Sequence, residues 1–367
     1  MPPETPSRRY IPGLDGLRGI AILLVLLYHA QWFAGAYLSV DLFFILSGYL
    51  ITNLLLIEHA ETGRIALGRF YVRRALRLFP TLLAAVAGIW VVTRYVLPEF
   101  EELLKPREIR AVLLYYANFP MSLGWYDIKA LQHCWTLSIE EQFYVLWPPL
   151  LIAMLAFRLS LRTCFRVLLA TICAVTAWRV WIHMGAPNYR RVYFGSDTRA
   201  DGLLLGCCAA LWGHFRGLPT GKVALGLFLA GLGLFIGMMA LASTDHIRRS
   251  LTLMAYGGFT GSNLGATLTI PYLVDSSARG APLRRLFENA ALVWVGKMSY
   301  AVYLVHFPVF VMGQSLLRDS KFNHKDPTVD FVARMVELAV SFALGAVLYH
   351  GLEVPFARWR KRLRHSS

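Results

Sequence analysis

Long apolar runs constrain this chain more than any other feature. A helix that crosses the hydrocarbon core of a bilayer needs about 20 consecutive, mostly apolar residues, and about ten segments fit that requirement. Hydrophobic residues make up 56% of the 367 residues and charged residues only 16%, well below the roughly 25% of soluble domains. The sequence therefore predicts an all-α, polytopic membrane domain with about ten transmembrane helices. They cover approximately residues 16–34, 37–57, 79–97, 137–157, 163–184, 198–214, 222–242, 251–273, 299–317 and 329–350.

The distribution of basic residues predicts the orientation of the chain. The formal net charge is +15, but most Lys and Arg residues lie in the connections between apolar segments, which is typical of cytoplasmic loops and not of a nucleic-acid surface. An even number of helices places both termini on one side, and the loops of that side are richer in Lys and Arg. Both termini are therefore predicted to be cytoplasmic, in a protein of the cell membrane.

We expect one membrane-embedded domain over residues 1–367. It would have a short cytoplasmic N-terminal tail (1–12) and a basic cytoplasmic C-terminal tail (353–367). The longest outer connection, at about 98–136, is predicted to contain a short helix around Ile109–Asn118. The sequence leaves the oligomeric state open.

The first apolar segment carries Asp15, Arg18 and His29. A charge at bilayer depth costs several kcal/mol unless it is paired or hydrated, so each of these residues is a functional candidate. Arg18 and His29 are eleven residues apart, about three helical turns, so they lie on one helix face, roughly 16 Å apart along the axis. Arg18 would then be an anion-binding group and His29 a titratable base deeper in the membrane, an arrangement that could bind a long anionic thioester substrate. A second interpretation stays open, in which Arg18 reaches lipid headgroups and His29 bonds to a neighbouring helix.

Several further motifs follow in order along the chain. Arg18 and His29 form an Arg-x10-His pair, and four later segments read FFILSGYLI (43–51), RFYVRRALRLFP (69–80), WTLSIEEQFY (135–144) and SYAVYLVH (299–306), with EVPF at 353–356. Over nearly the whole chain this series resembles the membrane acyltransferase-3 family, in which the second of these segments is a basic loop motif. Among its stand-alone members, the chain is similar to macrolide O-acyltransferases.

The resemblance implies a membrane-bound enzyme that moves an acyl group, acetyl or short-chain, from acyl-CoA to a hydroxyl group. Acyl-CoA would be a co-substrate, with no permanently bound cofactor. No metal site is expected, because the five cysteines show no metal-ligand spacing. Some relatives carry a fused extracytoplasmic hydrolase-like domain, whereas this membrane domain is expected to act alone or with a separate partner.

The acceptor is expected to be a small glycosylated or macrolide-type molecule. O-acetylation of a cell-envelope glycan, such as lipopolysaccharide sugars, stays open as an alternative. A multi-pass transporter is the alternative from another class. It is disfavoured because no pair of Gly/Pro-interrupted segments recurs at corresponding positions in two halves.

Roles for individual residues follow from their chemistry. His29 is the predicted general base, because histidine titrates near neutral pH. Guanidinium groups suit phosphate, so Arg18 and three arginines of the basic motif are predicted to bind coenzyme A; the open alternative is that those three only contact anionic lipid and set the topology. Their positions are Arg73, Arg74 and Arg77.

The remaining candidates are polar or aromatic residues within the motifs and apolar segments. With His29 and Arg18, the catalytic candidates are Glu353 and Tyr144. Asp197 and Asp201 share a helical face, and Arg199 could pair across helices; this group either binds the acceptor or forms an ion-pair network that fixes helix packing. The candidates for acceptor binding are Asp15, Asp41, Ser47, Trp135, Ser138, Glu140, Asp197, Arg199, Asp201, Tyr300 and His306.

Overall fold

The computed structural model describes residues 10–185, 188–243, 250, 252–319 and 326–363. These residues are mainly helical and include no β-strand. The long helices, with the labels used below, are α1 Pro12–His29, α2 Val40–Thr62, α3 Leu67–Val91, α4 Trp135–Ala156, α5 Leu161–Gly185, α6 Ser196–Arg216, α7 Gly221–Ala242, α8 Phe259–Leu268, α9 Ser299–Asp319 and α10 Pro327–Leu348.

Shorter helical segments connect these helices. The short α-helices are Pro106–Leu113, Asn118–Leu123, Tyr189–Phe194, Ile270–Val274, Pro282–Phe287, Ala290–Lys297 and Val354–Leu363. The π-helical turns are Val92–Val96, Met254–Gly258 and Tyr349–Glu353. The 3-10 helices are Ala34–Ser39, Pro98–Leu103, Gln132–Cys134 and Ser276–Ala278.

Seven helical stretches of the described residues are long and apolar enough to cross a membrane, which confirms the all-α polytopic membrane domain. Three predicted segments are absent from this group. Those at 137–157 and 198–214 form α4 and α6, which carry polar residues. The seven stretches are Pro12–His29, Ala34–Thr62, Leu67–Val96, Leu161–Gly185, Gly221–Ala242, Ser299–Leu317 and Pro327–Trp359.

The third absent segment, 251–273, is not one continuous helix as predicted. Residue 251 lies outside the described part of the chain. The rest is divided into a π-helical turn, α8 and a short helix that begins at Ile270. Gly257 has a φ of 125°, which no helix accommodates, so the polypeptide changes direction there.

Several predicted boundaries are also wrong. Helix α1 ends at His29 instead of continuing to residue 34, because Gln31 takes a φ of 63°. Helix α3 begins at Leu67, so the basic motif is the first part of a helix and not a loop. The helix predicted at Ile109–Asn118 is interrupted by Tyr115, whose φ of 54° separates two short helices.

The predicted tails lie only partly within the described residues. Residues 1–9 and 364–367 fall outside them. Helix α1 already begins at Pro12, and most of the predicted C-terminal tail forms the helix Val354–Leu363.

The chain forms two compact units. The first contains Met1–Ile65, Met121–Gly124 and Ile139–Gly296, and the second contains Ala66–Pro120, Trp125–Ser138 and Lys297–Ser367. The first unit therefore holds α1, α2, most of α4, and α5 to α8. The second holds α3, α9 and α10. Nothing in the described residues tests whether the two units act as one domain, so that prediction stands as made.

Helix α2 is flanked in the first unit by two helices that run parallel to it. Towards α4, the Ser47 hydroxyl donates to Glu140 at 3.0 Å, and further along both helices the Trp147 indole N–H donates to Thr52 at 2.8 Å. Towards α6, Asp41 pairs with Arg199, and two turns further on Gly48 faces Gly206. Residue numbers rise together along both pairs, so each pair is parallel.

Parallel neighbours restrict the path of the chain through the bilayer. Two membrane-spanning helices run in the same direction only when an odd number of crossings separates them. Helices α4 and α6 both run parallel to α2, so each of them, as a spanning helix, would be separated from α2 by an odd number of crossings.

Three further pairs of neighbouring helices are antiparallel. Helix α5 runs against α6, with Arg179 beside Asp201 at one end and Phe165 beside Phe215 at the other. Gly231 on α7 and Gly265 on α8 face each other's carbonyl oxygens. In the second unit, α9 and α10 form the corresponding pair, with Val302 against Gly345 and Gly313 against Glu337.

Candidate functional site

Helix α1 carries the Arg-x10-His pair without interruption. Arg18 and His29 lie on the same helix at the predicted spacing, and His29 is its last residue. The Arg18 guanidinium donates to the Asp15 carboxylate at 3.1 Å, so Asp15 fixes its orientation. The Tyr28 and His29 rings meet edge to face, with their centroids 4.9 Å apart.

Close backbone contacts fix the position of α1 within the first unit. A side chain on Gly16 would overlap the carbonyl group of Phe287, and one on Gly19 would overlap that of Leu292. A side chain on Gly296 would overlap the carbonyl of Asp15. The turn of α1 that presents Arg18 therefore lies directly on the segment 287–296.

Two acceptor candidates, Ser47 and Glu140, are brought together by their hydrogen bond between α2 and α4. Tyr144, one turn after Glu140, is buried, with only 2% of its surface exposed. These side chains lie on the helix face that also joins Trp147 to Thr52. Two side-chain hydrogen bonds therefore join α4 to α2.

Two fully buried ion pairs lie where α2, α5 and α6 meet. Arg199 pairs with Asp41 across helices, as the sequence suggested it could. Asp201 pairs with Arg179 at 3.0 Å. All four side chains have no exposed surface, so their charges are neutralised within the protein.

Asp197, predicted to share a face with Asp201, lies in a different environment. Its carboxylate is partly exposed and accepts hydrogen bonds from Arg191 at 2.8 Å and from the Trp178 indole at 2.7 Å. The three predicted residues of this segment therefore have three separate sets of partners.

In the second unit, the arginines of the basic motif lie on α3. Arg73 and Arg74 are half-buried and Arg77 is exposed. Glu353 ends the π-helical turn that follows α10, and Arg77 lies within its electrostatic range. Arg77 of the basic motif is thus the arginine whose charge acts on Glu353.

Tyr300 and Ser138 bond to the backbone. The Tyr300 hydroxyl donates to the Leu78 carbonyl at 3.0 Å. The Ser138 hydroxyl accepts from the Ala117 N–H at 3.1 Å and donates to the Cys134 carbonyl at 3.2 Å. Each contact fixes neighbouring parts of the second unit.

His306 lies in a buried aromatic cluster, which the sequence did not predict. Its ring centroid is 5.1 Å from that of His133 and 5.2 Å from that of Tyr303. The Nδ1 atom of His306 lies 2.6 Å from the Tyr303 carbonyl, which accepts and so places the proton on Nδ1. Trp135, at the start of α4 and two residues beyond His133, is buried as well.

Comparison with known proteins supplies the family. A family model described as an acyltransferase domain matches residues 11–350. The chain belongs to this acyltransferase family. The matched range contains every site residue predicted from the sequence except Glu353.

Curated relatives of the chain come from Staphylococcus aureus. The chain is 32% identical over 364 residues to O-acetyltransferase OatA of strain NCTC 8325, covering 96% of this chain and 58% of the relative. A second protein, from strain COL and also named as an O-acetyltransferase, is 30% identical over 374 residues, with 95% and 58% covered. The chain therefore spans just under three fifths of these relatives. No solved structure matches it.

Arg179 was not predicted from the sequence. Besides Asp201, its guanidinium donates to the Thr198 carbonyl at 2.7 Å, the Thr260 hydroxyl at 2.6 Å and the Ala255 carbonyl at 3.3 Å. The last of these belongs to the π-helical turn Met254–Gly258. An arginine within an apolar segment was the signal that could have identified it.

In the described part of the chain, no group of three or more His, Cys, Asp or Glu side chains is arranged to hold a metal ion. The polar groups instead pair with one another and with the backbone. The site candidates are thus divided between two sets: α1, α2, α6 and α4 from Ile139 onwards in the first unit, and α3, the first turn of α4, α9 and the turn after α10 in the second.

Proposed function

We propose that this chain is a membrane O-acetyltransferase that moves an acetyl group from acetyl-CoA to a hydroxyl group of an acceptor. The family is that of an acyltransferase domain, and the relatives are named for O-acetyl transfer. The observation that carries the proposal is α1, which presents Arg18, held by Asp15, and His29 on one unbroken helix.

In the proposed reaction, His29 is the general base. Its imidazole accepts the proton of the acceptor hydroxyl while the hydroxyl oxygen attacks the thioester carbonyl. The carbon–sulfur bond then breaks, and the proton returns from the imidazolium to the coenzyme A thiolate. The products are the acetyl ester and the free thiol. Tyr144 is proposed to donate a hydrogen bond to the oxyanion, which would stabilise the charge that develops there.

Arg18 in the first unit, and Arg73, Arg74 and Arg77 in the second, are each proposed to bind coenzyme A, because guanidinium groups suit its phosphates. Glu353 would orient Arg77. On this proposal, Arg18→Ala raises the Michaelis constant for acetyl-CoA about tenfold, the usual effect of losing one charge-assisted contact. A change in membrane insertion with an unchanged donor constant would indicate contact with anionic lipid instead.

The acceptor is proposed to be a small glycosylated or macrolide-type molecule, with a cell-envelope glycan as the second candidate. Acetyl-CoA is a cytoplasmic metabolite, so a donor site on the cytoplasmic side of the cell membrane agrees with the proposed cytoplasmic termini. The parallel arrangement of α2, α4 and α6 is compatible with the ten crossings that this topology requires.

The decisive experiment measures free thiol released from acetyl-CoA by detergent-purified protein, with and without macrolides and envelope sugars as acceptors. We expect acceptor-dependent release by the wild type and none by His29→Ala. His59→Ala is the matched control, because His59 lies in the last turn of α2, at the opposite end of that helix from Asp41, and is not one of the residues proposed for the site. Full activity of His29→Ala would exclude His29 as the base. Folded wild-type protein that releases no thiol with any acceptor would favour the transporter.

A further inference from the structure

One cluster of buried polar atoms in the first unit lacks hydrogen-bond partners. Both amide atoms of Asn263 and the hydroxyl of Ser262 are unpartnered, although neither residue has exposed surface. The same holds for one carboxylate oxygen each of Asp41 and Asp201. A buried polar group without a partner costs about 1–3 kcal/mol, and a membrane interior offers no bulk water to relieve that cost.

These atoms belong to one region of the unit. The Asn263 carboxamide lies against Gly202, where a Cβ would be 3.2 Å from its oxygen. Gly202 adjoins Asp201, which accepts a hydrogen bond from Thr260 of α8 at 2.6 Å. Asp41 lies within electrostatic range of Asp201, and α8 packs on both α2 and α6.

The charges of this region exclude an ionic ligand. Asp41 is neutralised by Arg199 and Asp201 by Arg179, so the region is neutral as a whole. A free cation or a phosphate would leave an uncompensated charge in a buried site. The ligand that fits is uncharged.

The unpartnered atoms also define the hydrogen-bonding character of the ligand. Among the unpartnered atoms are three acceptors, Asp41 Oδ2, Asp201 Oδ1 and Asn263 Oδ1, and two groups that can donate, the Asn263 amide and the Ser262 hydroxyl. Hydroxyl groups complement such a set, because each can donate to a carboxylate oxygen and accept from an amide or hydroxyl. Several adjacent hydroxyls would satisfy all of these atoms together.

We propose that Asn263, Ser262 and the unpartnered oxygens of Asp41 and Asp201 bind the neutral, polyhydroxylated part of the acceptor, as in a sugar ring. That the ligand is the acceptor rests on the proposed function; that it is a neutral polyol rests on the cluster alone. The buried polar atoms are then satisfied in the bound state, at the expense of stability in the empty protein.

The test compares two octyl detergents that differ only in their head groups, octyl β-glucoside and octyl tetraethylene glycol, added to protein purified in a sugar-free amine-oxide detergent. We expect the glucoside to raise the melting temperature of the wild type by several degrees more than the glycol does. In Asn263→Leu, an apolar replacement of similar size, that difference should disappear.

Thr267→Val is the matched control on the same helix. Its hydroxyl donates to the Asn263 carbonyl within α8 at 2.7 Å and so is already satisfied. This variant should keep the glucoside effect. Should Asn263→Leu not fold, Ser262→Ala gives the same test with a smaller change, and it should reduce the effect.

Two results would overturn the proposal. One is an equal effect of both detergents on the wild type. The other is a glucoside effect that persists in Asn263→Leu, particularly if that variant melts at a higher temperature, which would mean that resident water alone fills the region. Because melting requires no turnover, a protein that responds to the glucoside but releases no thiol would contradict the proposed function and retain this site.

Discussion

Gly48 on α2 and Gly206 on α6 face each other with no side chain between the two backbones. A Cβ on Gly48 would overlap the Leu203 carbonyl oxygen, and a Cβ on Gly206 would overlap that of Ile45. Small residues let membrane helices approach closely in this way. Gly206→Ala should therefore separate α2 from α6 and cost about 1–3 kcal/mol, the usual range for overpacking. The measurement is thermal unfolding in detergent.

Gly226→Ala is the matched control for this substitution. Gly226 lies inside α7, and nothing lies within 4 Å of the position where its Cβ would be. Alanine is the better helix former there, by up to about 1 kcal/mol. The control should therefore melt at or above the wild-type temperature, and an equal loss in both variants would contradict a close crossing at Gly206.

A second prediction concerns the buried Asp41–Arg199 pair. Arg199→Leu leaves the Asp41 carboxylate buried without its cation, which should cost about 3–5 kcal/mol. Adding Asp41→Leu to that variant should restore much of the loss, because the buried charge is then gone. A double-mutant cycle measured by thermal unfolding separates the two effects.

The partly exposed Arg191–Asp197 pair serves as the comparison. Solvent screens this pair, so Arg191→Ala should cost less than about 1 kcal/mol. Equal losses at the two sites would mean that the Asp41–Arg199 pair is open to water.

Asp275, outside the membrane-spanning helices, makes stability depend on pH. Burial acts to raise the pKa of the Asp275 carboxyl. Hydrogen bonds from the Gly221 N–H at 2.7 Å and from Ser277 at 2.8 Å nevertheless hold that pKa below its ordinary value. The contribution of the ionised Asp275 carboxyl to the free energy of unfolding is therefore complete above an unfolded-state pKa of about 3.9. It is lost as the pH falls through the lower folded-state pKa.

Asp275→Asn should accordingly melt below the wild type at neutral pH, by the equivalent of about 1–3 kcal/mol. The gap should narrow as the pH is lowered below about 4, because the wild-type carboxyl then becomes neutral too. A gap that is constant with pH would show that the carboxylate charge is not what stabilises the connection to Gly221.

Ser138 allows a structural role to be separated from acceptor binding. Ser138→Ala removes the group that accepts from the buried Ala117 N–H, and should cost about 1–3 kcal/mol. The acceptor Michaelis constant of the surviving folded protein should not change. A raised constant with an unchanged melting temperature would instead place Ser138 in the acceptor site.

Length and hydropathy sufficed to predict most of the helices, because a membrane span must be long and apolar. They failed where charge or backbone conformation overrides hydropathy. Helix α3 begins twelve residues before the predicted boundary because its first turns carry arginines, which an apolar criterion excludes. The segment 251–273 is broken at Gly257, and its positive φ has no hydropathy signal.

The candidate site, like the helices, could be predicted only in part from the sequence. The shared helix of Arg18 and His29 followed from their spacing alone, since both lie in one segment. The pairing of Arg199 across helices could be foreseen, but its partner Asp41 could not be chosen among the acids available. Asn263 was not predicted as a site residue, because an uncharged amide in an apolar segment indicates a binding site only when its neighbours in the fold are known.

The distance along the chain between Asp41 and Arg199 has a consequence for biosynthesis. Their 158-residue separation means that α2 leaves the ribosome roughly 8–30 s before α6, at 5–20 residues per second. For that interval the Asp41 carboxylate must remain hydrated or protonated near the insertion machinery, since its cation has not yet been made. Only when α6 has been made can Arg199 pair with Asp41, so that α2 can remain in the lipid with this carboxylate buried.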